Sequence, residues 1–224
     1  MAGNSPVPGL GVGQLPTLTD LAQYRVNLSN QVEGIKASLY DFQTYATAGT
    51  TQMTFFQTPI GQSSKTKYDT NMEAAGSLPN PKNFLVTGIE VMFFPGSAVS
   101  IYGAGAVNKG ILDQMAIFKS GYLEMFIGSK TYLTEAPLGV FPPSVGLSGF
   151  AARSDTTTAG ATQAAQDGYA VWAGEPYKMN PPILLEPTQN FNVTLNWPTA
   201  VATPSGVDGR IGVRLRGLLY RNSQ

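Results

Sequence analysis

Histidine and cysteine are missing from all 224 residues of this sequence. Their absence excludes Ser-His-Asp and Cys-His nucleophile systems, His or Cys zinc sites, disulfides and imidazole proton shuttles. Charge is scarce too: Asp, Glu, Lys and Arg make up 12% of the chain, about half the usual share for a globular domain. Fourteen basic residues cancel fourteen acidic ones, which removes the electrostatic footprint of a nucleic-acid binder. The first basic residue is Arg25, so there is no polybasic N-terminal arm. No apolar run approaches the roughly 20 residues that span a bilayer. The opening Met1-Ala2-Gly3-Asn4 has neither the charged nor the apolar region of a secretory signal. The expectation is a chain with no secretory route, in which the sequons at Asn27 and Asn192 are accidental.

What the chain does have is apolar bulk: 42% hydrophobic residues, among them eleven Phe, ten Tyr and seven Met. With so little charge, much of the surface must be uncharged. Interface cores are depleted in charge and enriched in aromatics and Met, so this composition suits a protein whose neighbours are copies of itself. The competing reading is a monomer with a Ser/Thr/Asn/Gln surface. The length suits one large all-β domain or two small ones.

Residues 1–16 contain four glycines and three prolines and read as an extended arm. Leu18, Leu21, Leu28, Val32 and Ile35 then recur at helix-like spacing, with Thr17 or Thr19 as N-cap and Gly34 as breaker, predicting a short amphipathic helix interrupted by Arg25. From residue 37 the period becomes two. Leu39–Tyr45 and Met53–Gln57 read as strands; Phe84–Phe94 reads as a longer one with two apolar faces. Met115–Phe118 and Tyr122–Ile127 read as two strands or one bulged strand, and Tyr169–Trp172 as a short one. Asn190–Trp197 alternates strictly, and in Arg210–Tyr220 Ile211, Val213 and Leu215 alternate with Arg210, Arg214 and Arg216, which line one side. Those arginines could meet phosphate or a neighbour's carboxylates, but a solvated face is the simpler expectation.

Long Gly/Pro/Ser/Thr stretches at 59–83, 95–113, 134–168 and 198–209 separate the strands. Eight or nine short strands with almost no helix after residue 37 predict an all-β fold, a single jelly-roll sandwich of two antiparallel sheets. Its core is expected from Phe84, Val86, Ile89, Val91 and Phe93 of one strand, Phe191, Val193, Leu195 and Trp197 of a second, and Ile211, Val213 and Leu215 of a third. The division is an N-terminal arm with its short helix, residues 1–36, and a jelly-roll domain, residues 37–224.

Motifs for chemistry are weak. Gly9-Leu-Gly11-Val-Gly13 and Gly103-Ala-Gly105 lack both a strand-to-helix setting and the Gly-Lys-Ser/Thr ending of a phosphate loop. Asp69-Thr-Asn71-Met-Glu73 resembles the opening of a calcium loop, but Ala74 replaces the required glycine and Asn80 the closing glutamate, so a turn held by Asx hydrogen bonds is the better account. Two carboxylates suffice for a glycosidase, yet nothing pairs any two of Glu124, Glu135, Glu175 and Glu186, and Glu186 reads as a turn residue. A lectin-like or receptor-binding module would need a sugar-stacking platform from Trp172, Tyr169, Tyr177 or Trp197, although the alternation puts Trp197 in the core. No catalytic residue, cofactor or metal is expected.

The segment Pro181–Trp197, the Gly/Pro/Ser loop after it and Arg210–Tyr220 resemble the closing strands of jelly-roll major capsid proteins of tailless icosahedral bacteriophages. The stretches Asp69 to Pro95 and Tyr132 to Pro143 are similar in style to phage structural proteins. The resemblance implies a viral structural protein located in the virion, self-assembling as a homo-oligomer into hexameric or pseudo-hexameric capsomers, often over an internal membrane. Its partners would be copies of itself, with other capsid or membrane proteins of the virion alongside. The chain is too short for the sixteen strands of a double barrel, and it lacks the basic arm of small RNA virus coat proteins. No strong direct nucleic-acid binding is therefore expected; residues 1–36 would instead run beneath or across adjacent subunits.

Overall fold

Two 14-residue strands, β1 (Val32–Tyr45) and β10 (Gly209–Asn222), pair antiparallel along their whole length, from Val32 opposite Asn222 to Tyr45 opposite Gly209. The computed structural model describes residues 32–96, 109–143, 146–148, 170–172 and 175–222. Inward from that outermost pair, three more follow in nested order. Strand β2 (Gln52–Phe55) pairs with β9 (Phe191–Asn196), β3 (Asn83–Phe94) with β8 (Tyr177–Leu185), and β4 (Tyr122–Ile127) with β5 (Lys130–Glu135). The four pairs form one long antiparallel ribbon. It folds over on itself, and two further pairings, β10 with β3 and β9 with β4, zip its turns into sheets ordered β1-β10-β3-β8 and β2-β9-β4-β5. This wrapped ribbon of eight strands in two antiparallel sheets is the jelly-roll sandwich expected. A small hairpin of β6 (Gly146–Ser148) and β7 (Ala170–Trp172) lies between β5 and β8 in the chain.

The core follows from alternation. All of the residues expected in it, from Phe84 to Leu215, belong to one buried cluster between the sheets. Along β3 the inward set is Phe84 and Val86, then Ile89, Val91 and Phe93. The change of phase comes from a bulge at Thr87, where the register with β10 skips from Gly88 opposite Arg216 to Val86 opposite Gly217. The second apolar face of β3 is also filled: Leu85 and Met92 are buried on the outer side of the sheet, beside Leu218 and Phe42.

Two expectations are corrected, and one strand was not foreseen. Val32 and Ile35 belong to β1 and not to a helix, so the sheet begins inside the expected arm; Ile35 is paired with Leu219, and this long-range pairing overrides the local spacing. The rest of the expected helix, with the arm before it, lies outside the described residues. Met115–Phe118 is part of a helix, α1 (Lys109–Ser120), because a short apolar run carries no period that separates strand from helix. Ile117 drops into the core from α1, and its carbonyl accepts the Nε1–H of Trp197 at 3.0 Å. Strand β8, hidden by Pro181 and Pro182, is an edge strand, the place in a sheet where proline is tolerated; its register with β3 is broken around them.

Gly217 lets β10 pass close to the β3 bulge, since a Cβ there would stand 1.9 Å from the Leu85 carbonyl oxygen. Gly217→Ala is expected to cost about 1–3 kcal/mol in urea denaturation. Gly139→Ala, with nothing within 4 Å of the added carbon, should stay within about 0.5 kcal/mol.

Candidate interaction surface

With Ile211, Val213 and Leu215 turned into the core, Arg210, Arg214 and Arg216 stand on the outer face of the sheet. The register sets three rows across β1, β10 and β3: Thr44, Arg210 and Phe94; Phe42, Gly212 and Met92; Tyr40, Arg214 and Glu90. The solvated face expected for the arginines is therefore corrected. Glu90 is fully buried, with Arg214 Nη1 3.7 Å from one carboxylate oxygen and Arg216 Nε in direct contact with the other. Neither oxygen receives a hydrogen bond of good geometry, so the attraction is ionic. Two guanidinium groups about one buried carboxylate compensate a charge that would be very costly alone.

Arg210 is held differently. Its guanidinium lies over the Phe42 ring at 4.3 Å and over the Tyr68 ring at 3.8 Å, and Nη2 donates to the Tyr68 carbonyl at 2.6 Å and to Asp69 Oδ1 at 3.2 Å. Phe42 can lie across β10 because residue 212 is glycine; a Cβ there would sit 2.0 Å from the ring. Tyr40 and Phe94 continue the group, with ring centroids 6.2 and 5.9 Å from Phe42. Tyr68 is 73% exposed and Phe94 41%. The result is an aromatic group packed about Arg210, of which Tyr68 and Phe94 are open to solvent.

The β2–β3 loop carries Tyr68 and is bolted to β1. Asp41 is buried on the inner side; it accepts a hydrogen bond from the Phe56 N–H at 2.7 Å and is in direct contact with Lys65 Nζ. Asn71 accepts from the Tyr40 N–H at 2.9 Å and donates to the Ser38 carbonyl at 2.7 Å, while the Phe42 N–H donates to the Asp69 carbonyl at 2.8 Å. Residues 69–71 thus cover part of β1's free edge, which would otherwise present unpaired backbone groups.

The calcium-like run is dispersed by these duties. Asp69 accepts from the Thr66 N–H and hydroxyl and faces Arg210, Asn71 serves β1, and Glu73 pairs with Lys82 at 2.6 Å. Among the described residues no group of three His, Cys, Asp or Glu could hold a metal ion, and no described helix is long and apolar enough to cross a membrane. The carboxylates go separate ways: Glu124 accepts from Asn196 at 3.1 Å, Glu135 from the Tyr177 hydroxyl at 3.2 Å, Glu175 pairs with Lys178, and Glu186 lies exposed in a turn before β9. Of the sugar-stacking candidates, Trp197 is core and Tyr177 packs on Phe141 with ring centroids 4.8 Å apart. Tyr169, the Trp172 side chain, the Gly9–Gly13 and Gly103–Gly105 runs and the Asn27 sequon lie outside the described residues; Asn192 is half-buried on β9.

The residues that sequence reading did not single out are Tyr68, Asp41, Lys65 and Glu90. Tyr68 and Arg210 are 142 positions apart, and no local pattern joins them. No protein-family model, curated protein or solved structure matches the chain.

Burial raises the pKa of Asp41 above 3.8, against the pull of Lys65 and the Phe56 N–H. The Thr66 N–H, aided by the Thr66 hydroxyl and Arg210, lowers that of Asp69 below 3.8. Asp41 thus contributes stability that is complete below 3.8 and lost as pH rises through its folded pKa, whereas Asp69's contribution is present above 3.8 and lost as pH falls through its own. Carboxyl titration by NMR should place the Asp41 midpoint above 3.8 and the Asp69 midpoint below it; the reverse order would contradict the assignment.

Proposed function

We propose that this chain is a shell-forming structural protein, a self-assembling major capsid protein of an icosahedral virion. The observation that carries this reading is the pair of exposed aromatics, Tyr68 and Phe94, packed about Arg210 and Phe42 on the outer face of the sandwich. Aromatic side chains have few rotatable bonds and so lose little entropy on docking, and aromatic and arginine residues dominate interface energetics. The low charge of the chain as a whole supports the same reading, and Arg210, already paired with Asp69, carries its counter-ion with it. So does the resemblance of Pro181–Trp197 and Arg210–Tyr220 to the closing strands of phage capsid proteins. The mechanism is assembly: contacts that are weak singly become stable when repeated by symmetry in a closed lattice. The sugar-binding alternative has lost two of its stacking candidates, Trp197 and Tyr177, to packing inside the fold.

Sedimentation velocity on the full chain tests the proposal. Wild type should sediment as capsomers or larger assemblies, and Tyr68→Ser with Phe94→Ser should weaken association at least tenfold, as expected on the order of 2 kcal/mol per hot-spot side chain, while leaving circular dichroism and melting unchanged. A wild type that stays a 23.8 kDa monomer at high concentration would overturn it.

A further inference from the structure

Phe42, Leu85, Met92, Leu218 and Tyr220 are buried hydrophobic side chains that do not belong to the core cluster. All stand on the outer face of the β1-β10-β3 sheet, by the same alternation that turns the arginines outward. Phe42 and Met92 lie near the Arg210 end, where the β2–β3 loop and the Phe94 ring reach the face. Leu85, Leu218 and Tyr220 lie toward the other end of β10, about 26–33 Å away at roughly 3.3 Å per residue. There Leu85 is in register with Leu218, and Leu184 of β8 continues the row. Tyr220 is in register with Gly34 and Asn83, and a Cβ at Gly34 would stand 3.1 Å from its ring.

Leu85 is 0% exposed and Tyr220 2%, and the Tyr220 hydroxyl is buried with no hydrogen-bond partner. Side chains on an uncovered sheet face keep part of their surface in water, so burial this complete needs a second layer. Among the described elements, α1 packs into the core through Ile117 and the β2–β3 loop holds the Arg210 end, so neither supplies it.

Three stretches outside the described residues are long enough. Residues 97–108 follow the Phe94 end of β3, the wrong end of the face. Residues 149–169 contain no Leu, Ile, Val or Met, and so have little to bury. Residues 1–31 fit on both counts. They lead into Val32, two positions before the Gly34 that meets Tyr220. Their only charged side chains are Asp20 and Arg25, and Leu18, Leu21 and Leu28 recur at helix-like spacing. A helix from Leu18 to Leu28 would be about 16 Å long, enough to lie across β10, β3 and β8, which span about 10 Å. Asn27, Ser29, Asn30 and Gln31 bring polar groups for the Tyr220 hydroxyl.

We propose that residues 1–31 dock, apolar side down, on the Leu85, Leu218 and Tyr220 half of the sheet face of their own chain. The arm is then held by its own subunit, and the Tyr68 and Phe94 half stays free for contact. This inference rests on the buried outer face and does not depend on the shell reading.

Because the chain has no cysteine, a single nitroxide can be placed on the full chain through Gln23→Cys, with Gln14→Cys as a second site if the first does not fold. With the nitroxide oxidised, the Leu85 and Leu218 methyl NMR signals should be lost, and ascorbate should restore them. Adding Leu18→Ser and Leu21→Ser should abolish the loss. Mixing a spin-labelled, NMR-silent chain with an unlabelled, isotope-enriched one should leave the signals intact. Signals that survive in the labelled chain, or a loss that persists in the Ser variant, would overturn the proposal. So would a loss in the mixed sample, which assigns the cover to a neighbour's arm, or a loss from a label at Thr157→Cys alone, which assigns it to residues 149–169.

Discussion

Everything described depends on the pairing of β1 with β10, which joins Val32 to Asn222 and makes the chain a ribbon folded back on itself. Once that register is set, β10 is locked between two neighbours, and alternation decides the rest: Ile211, Val213 and Leu215 must enter the core, and Arg210, Arg214 and Arg216 must leave it. A slip of one residue would reverse both sets. Such non-local pairing is slow to form, because the loop entropy is lost before any contact rewards it. The sandwich is thus specified at its outermost pair, the one that closes the longest loop.

The scarce charges are used as fasteners. Asp41 with Lys65 ties the β2–β3 loop to the inner side of β1, Arg210 with Asp69 ties it to the outer side, and Glu90 with Arg214 and Arg216 staples β3 to β10. The Asp41 and Glu90 carboxylates have no access to water, and there geometry counts for more than at an open surface; the Arg210–Asp69 pair is partly exposed. With so much of the loop fixed, Tyr68 is presented rather than loosely tethered. The exposed aromatic patch is therefore a consequence of the fasteners as much as of its own residues.

The strands with strict alternation were legible in the sequence, and so was the core they supply; Phe191 to Trp197 is the clearest case. Two kinds of element were not. Met115–Phe118 is too short to show a period and turned out helical, and the Pro181-Pro182 pair disguised an edge strand that tolerates them. Of the surface, the arginine row was visible but its meaning was not, because Glu90, Asp69 and Tyr68 come from segments far from β10 in the chain and meet it only through the fold. The same holds for Asp41, whose partner Lys65 lies in a loop of no recognisable pattern.

The missing histidine and cysteine turn attention away from reactive side chains, and the proposed role gives the uncharged surface an occupation: contact with copies of itself. Electron microscopy of the purified full-length chain tests that claim most directly. The account predicts closed particles or regular capsomers of one size; a field of uniform single subunits at assembly-promoting concentration and salt would contradict it.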